Sequence, residues 1–161
     1  MSDVRQRFAG HMQLPGTVLE FDRVVPGVAL RERSTGAQVS PTDFRQRRAL
    51  VLCFLHADCE PCRDFAAGLA DLADGIRSAD AEVRAVLPEE QPAPLPVWVD
   101  ADGRARRRLL GSDGQLPVVL ILDRYAAAQQ SHPAADHDFP DPGAILSTLR
   151  HQSMLCPECG T

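Results

Sequence analysis

The chain has 161 residues, of which 44% are hydrophobic and 24% charged, and a formal net charge of -5. That length supports one domain with an ordinary apolar core, so no framework of structural disulfides is needed to hold it. The acidic balance argues against nucleic acid and anionic membrane as partners, and no stretch approaches the ~18 apolar residues of a membrane span.

The start, Met1-Ser2-Asp3-Val4-Arg5-Gln6-Arg7, lacks the apolar run of about seven residues that a secretory signal needs. The expected location is therefore the cytoplasm. Residues 1–161 read as one domain, with 1–17 a polar arm and 154–161 a tail. Within 18–39, Val24-Val25 and Val28-Ala29-Leu30 are separated by Gly27 and followed by Ser34-Thr35-Gly36, which suggests a small strand pair with a turn. Ser40-Pro41-Thr42-Asp43 suits a short helical turn, because proline fits the first helical position after a capping serine.

Residues 49–56 are almost continuously apolar, the mark of a short strand buried on both faces. After Asp58-Cys59-Glu60-Pro61-Cys62, the residues Phe65, Leu69, Leu72, Ala73 and Ile76 recur at helical spacing, with Asp64, Asp71, Asp74 and Arg77 opposite. One continuous helix is expected there. A strand over 82–87, a proline-rich loop over 88–96 and a strand over 96–100 come next. The turn at 100–103 leads into a short helix over 104–110, stopped by Gly111. Residues 118–123 form a second buried strand, 125–132 an edge strand, and Asp141-Pro142 caps a last helix with Ile145, Leu146 and Leu149 inward. This alternation predicts an α/β three-layer sandwich around a mixed sheet, with the strand pair as an N-terminal extension.

Four of the five cysteines fall into two Cys-x-x-Cys pairs, Cys59/Cys62 and Cys156/Cys159. In a reducing compartment such pairs read as redox catalysts or metal ligands. A buried strand ending in Cys-x-x-Cys that opens a helix places a thiol where partial positive charge favours the thiolate, the attacking species in disulfide exchange. Cys62 lies three residues before Phe65, on the core face, so it is the shielded, resolving thiol. Cys59 at the exposed helix start is the nucleophile. Asp58 and Glu60 flank it, and their carboxylates oppose thiolate formation, which points toward a reductant. The alternative is two buried cysteines without redox work. His56 reads either as a proton shuttle or as an ordinary hydrogen-bonded strand-end histidine, and Cys53 reads as core.

At these residues the chain resembles the thioredoxin-like superfamily, in its peroxiredoxin-like or redoxin branch of alkyl hydroperoxide reductase and thiol-specific antioxidant relatives. The resemblance is carried by 51–56, Cys59-Glu60-Pro61-Cys62 and the following helix, by Val99-Asp100-Ala101-Asp102-Gly103, and by 116–124. It implies that Pro117 is a cis-proline facing the cysteine pair, and that the Leu116 backbone can pair with a substrate strand. Several positions depart from the pattern. Asp58 stands where thioredoxins usually carry tryptophan, and Cys53 where they often bury an acid. Peroxiredoxins carry threonine and proline where His56 and Leu52 stand here.

The expected function is thiol–disulfide oxidoreduction, reducing protein or small-molecule disulfides through a Cys59–Cys62 cycle with an unidentified thiol electron donor. The alternatives are a peroxiredoxin-like antioxidant peroxidase using Cys59 and a non-catalytic zinc-binding or interaction module. Cys156-Pro157-Glu158-Cys159 admits three readings: a redox relay, half of a zinc site, or a frayed tail. No organic cofactor is expected, since no glycine-rich phosphate loop is present. Arg104, Arg106, Arg107 and Arg108 read as a solvated helix face, or else as a docking patch for an acidic partner. The sequence leaves room for a homodimer.

Overall fold

A computed structural model of the protein describes residues 12–155. Seven strands form one sheet: β1 (Leu30–Glu32), β2 (Gln38–Val39), β3 (Ala49–Phe54), β4 (Ala81–Leu87), β5 (Val97–Val99), β6 (Val118–Leu122) and β7 (Ala128–Pro133). Four α-helices accompany them: α1 (Glu60–Ala70), α2 (Ala73–Ser78), α3 (Arg104–Leu110) and α4 (Pro142–Met154). The strand order is β2-β1-β5-β4-β3-β6-β7. β3, β4 and β5 run parallel, and every other neighbouring pair is antiparallel.

The apolar run of β3 follows from its place between β4 and β6, where all six of its residues are buried. Period-two alternation then sends its side chains to two different cores. Val51 and Cys53 pack with Phe65, Leu69, Ile76, Ile145 and Leu149 of α1, α2 and α4. Leu50, Leu52 and Phe54 pack on the other face with Leu109 and Leu110 of α3, Trp98, and Leu14, Leu19 and Val25 of the N-terminal segment. The result is the expected three-layer sandwich. Cys53 is fully buried, and that burial pushes its thiol up from its ordinary range, as suits a core residue.

The strand pair of 18–39 is confined to β1 and β2, which join the edge of the main sheet through β5. Val24 instead bridges to Ala127 at the opposite edge. Ser40 begins a 3-10 helix over Pro41–Phe44 with a reciprocal capping box to Asp43, as its residues predict. The expected single helix after Cys62 is two helices. The Leu72 N–H bonds to the Leu69 carbonyl, tightening the end of α1, and hydrogen bonding restarts from the Leu72 carbonyl to the Ile76 N–H. The edge strand begins at Ala128, because Asp123–Ala127 close a turn around the Asp123 carboxylate, which accepts from the Tyr125 and Ala127 N–H groups.

Asp100 is more than a turn residue. Its carboxylate, 6% exposed, accepts from the backbone N–H of Ala105 at 3.1 Å and of Arg106 at 2.9 Å. These are unpaired donors of the first turn of α3, so the charge is held by helix-end N–H groups. Asp100→Ala removes both bonds and is expected to cost about 1–3 kcal/mol, read as a lower urea midpoint at unchanged slope.

Candidate active site

Cys59 leaves β3 through a short turn in which Asp58 adopts a left-handed φ of 50°. The Gln91 carboxamide bridges that turn, donating to Asp58 Oδ1 at 3.1 Å and accepting from the Asp58 N–H at 3.2 Å. The proline-rich loop therefore braces the approach to the cysteines. Cys59 then caps α1 with extended backbone, and its Sγ accepts from the Cys62 N–H at 3.4 Å. Pro61 sits within the first turn, where a missing N–H costs nothing.

The two thiols differ as their spacing predicts. Cys59 is half-buried, while Cys62 is 2% exposed among the core side chains of α1. Burial, and next the hydrogen bond with Cys59, push the Cys62 thiol up to about 12. Cys62 is thus a protonated thiol at neutral pH, held behind the more accessible sulfur.

His56 and His137 complete the group. Nε2 of His137 lies 3.4 Å from Cys59 Sγ, and the His56 and His137 rings are 5.4 Å apart. Burial, and secondarily the charge of His137, lower the His56 pKa from its ordinary value. Donor atoms of His56, Cys59, Cys62 and His137 all lie within 4.8 Å of one another.

His137 has no counterpart in the sequence reading. It stands 78 residues beyond Cys59, in the segment 134–140 between β7 and α4. The segment is fixed at both ends. The Ala134 N–H bonds to the Pro117 carbonyl at 2.9 Å, and Phe139 stacks on Phe65 of α1 with ring centroids 4.4 Å apart. Between those anchors His137 takes a left-handed φ of 62° and its N–H closes on the Ala134 carbonyl at 2.7 Å. The one sequence hint is Phe139-Pro140, an apolar pair set among Asp136, Asp138 and Asp141, and it marks an anchor without saying where the anchor docks. Gly68 contributes at the far side: a Cβ there would meet Pro142 Cγ at 3.1 Å, so its absence lets the start of α4 close on α1.

The Leu116–Pro117 peptide is cis, as the resemblance implies. Phe54, the last residue of β3, pairs with Val118, the residue that directly follows the cis bond. The bond therefore lies beside the strand end that feeds the cysteine turn. Leu116 also lines a cavity of about 320 Å³ with Leu55, Asp100, Arg106 and Arg107. Arg104, Arg107 and Arg108 are exposed on α3, in keeping with a solvated face. Cys156 and Cys159 lie outside the described residues. No helix among the described residues is long and apolar enough to cross a membrane.

Comparison with known proteins bears on the fold and the family. No curated protein sequence matches the chain. Among solved structures, a candidate protein disulfide isomerase from Bacteroides thetaiotaomicron superposes with a TM-score of 0.71 at 12% identity, covering 89% of this chain and 96% of its own. The peroxidoxin BcpB of Mycobacterium tuberculosis gives 0.65 at 17% identity, covering 83% and 97%. A candidate thiol:disulfide interchange protein DsbE from Chlorobium tepidum gives 0.65 at 19%, covering 84% and 99%. At these identities the likeness speaks to the fold, which is that of thioredoxin-like proteins. The profile of the AhpC/TSA family matches residues 22–148, most of the length, and the chain therefore belongs to that family of thiol-based redox proteins.

Proposed function

We propose that the protein is a thiol–disulfide oxidoreductase that reduces disulfides through Cys59 and Cys62. The observation that carries this reading is the graded pair at the start of α1: an accessible sulfur touched by an imidazole, with a buried protonated thiol one turn behind. Cys59 as thiolate attacks one sulfur of a substrate disulfide, forming a mixed disulfide and expelling the other half as a thiolate that takes up a proton. Cys62 then gives up its proton and attacks Cys59 Sγ, forming the Cys59–Cys62 disulfide and releasing the second thiol. Two electrons have passed from the protein to the substrate. His56 and His137 are the imidazoles within reach to carry the proton. A thiol donor of lower potential restores the dithiol.

The resemblance to thioredoxin-like proteins points to the Leu116 backbone as the edge on which a substrate segment would pair, and the substrate is a protein or small-molecule disulfide.

The test is the resolving-thiol variant. Cys62→Ser keeps the nucleophile but leaves the mixed disulfide without an exit, so incubation with a disulfide-bonded protein is expected to accumulate a covalent adduct at Cys59. Mass mapping after digestion identifies the linkage, and excess dithiothreitol releases it. An adduct at another cysteine, or none under conditions where wild type turns over, sinks the mechanism.

A further inference from the structure

Cys59 and the three side chains around it form a compact set of metal-ligating atoms. We propose that His56, Cys59, Cys62 and His137 form a Zn²⁺ site when the dithiol is reduced. The donor set is two sulfurs and two imidazole nitrogens, with no carboxylate among them. Thiolate and imidazole donors favour a borderline-soft cation such as Zn²⁺ over Mg²⁺ or Ca²⁺, which take oxygen ligands.

The geometry fits a single ion. Tetrahedral Zn–S and Zn–N bonds place neighbouring donors roughly 3.3–3.8 Å apart. Cys59 Sγ and His137 Nε2 already stand at 3.4 Å, and no pair of donors exceeds 4.8 Å. Closing the rest requires shifts of about an ångström or less. Three of the ligands come from rigid structure, the end of β3 and the first turn of α1, and His137 arrives from the partly exposed 134–140 segment. Cys59 and Cys62 supply the two-residue spacing typical of half a zinc site, and the histidines supply the other half without a second chain.

Such a site excludes the disulfide, because both sulfurs are committed to the metal. Zinc and the Cys59–Cys62 bond are then alternative occupants of one place. An organic disulfide RSSR that oxidises the loaded site takes two electrons from the two thiolates and two protons from solvent. It leaves as two RSH, while the protein disulfide forms and Zn²⁺ is released. This release step rests on the redox reading proposed above; the binding does not.

The experiment uses full-length protein carrying Cys156→Ser and Cys159→Ser, so that the tail cannot supply ligands. Reduced and stripped of metal without oxygen, it is titrated with Zn²⁺ alone against a chromogenic chelator, and with Co²⁺ for its spectrum. One equivalent of Zn²⁺ is expected, and Co²⁺ should give the intense visible bands of a tetrahedral site with sulfur-to-metal charge transfer. His137→Asn should weaken binding by at least about tenfold, and Cys62→Ser should remove it. Failure of the tail variant to bind Zn²⁺ overturns the proposal, as does full affinity in a folded His56→Asn/His137→Asn double variant. Disulfide turnover measured in excess chelator keeps the two readings apart. Turnover without zinc binding strikes the metal site alone; zinc binding without turnover strikes the redox mechanism alone.

Discussion

Cys59→Ser is expected to reduce disulfide turnover to the uncatalysed rate, the largest change any single substitution should cause. Serine preserves the capping position, since its hydroxyl can accept from the Cys62 N–H in place of Sγ, so the helix start should survive. What is lost is the nucleophile, because an alcohol does not ionise near neutral pH and cannot form the mixed disulfide. His137→Asn keeps the sulfur and is expected to slow the exchange by about 10²-fold or more, the usual scale for a positioned acid–base group. Single-turnover reduction of a chromogenic aromatic disulfide reads both variants. Unchanged turnover in Cys59→Ser would move the nucleophile elsewhere. Peroxide consumption that disappears with Cys59, in a protein that leaves disulfides untouched, would transfer the chemistry to the peroxidase alternative. His56 and Leu52, standing where that pattern has threonine and proline, weigh against that outcome.

Ile121→Ala should bring the largest loss of stability. Ile121 is fully buried in β6, paired with Val51 on one side and Gln130 on the other, and belongs to the core beneath α1 and α4. It is flanked by strands and helices that cannot collapse inward, so the deleted atoms leave a cavity. The expected cost is about 2–5 kcal/mol, or a fall in Tm of roughly 4–20 °C at this chain size. Urea denaturation should show a lower midpoint with little change in slope. A cost under about 1 kcal/mol would mean that this face of the sheet is packed differently.

The parts of the fold that the sequence disclosed are those in which one physical signal dominates. β3 and β6 are continuous apolar runs because both faces of the sheet are covered. α3 is bounded by Gly103 and Gly111, both with positive φ, which a glycine adopts without strain. The unequal burial of Cys59 and Cys62 was readable because a three-residue offset from Phe65 fixes which sulfur faces the core. The break between α1 and α2 was not readable, since the apolar stripe continues through it. His137 was hidden for a different reason. Its place depends on a loop conformation set by the Phe139–Phe65 stack and the bond to the Pro117 carbonyl, and local sequence does not encode contacts so distant. Asp100 was legible as a turn residue, but its double acceptance from α3 required the turn's geometry.

The 134–140 segment divides the site by how readily each half opens. The dithiol sits at the start of α1, just past β3, whose residues 50–54 are hydrogen-bonded to strands on both sides, so the amides of that strand exchange only when the sheet itself comes apart. The imidazole of His137 rides on a segment tied by the Ala134–Pro117 bond, its own turn and one aromatic stack. Sub-global opening of that segment releases the histidine while the cysteines stay in place. The thiols follow a strand held on both sides, and the imidazole rides on a segment held by two backbone bonds and one stack.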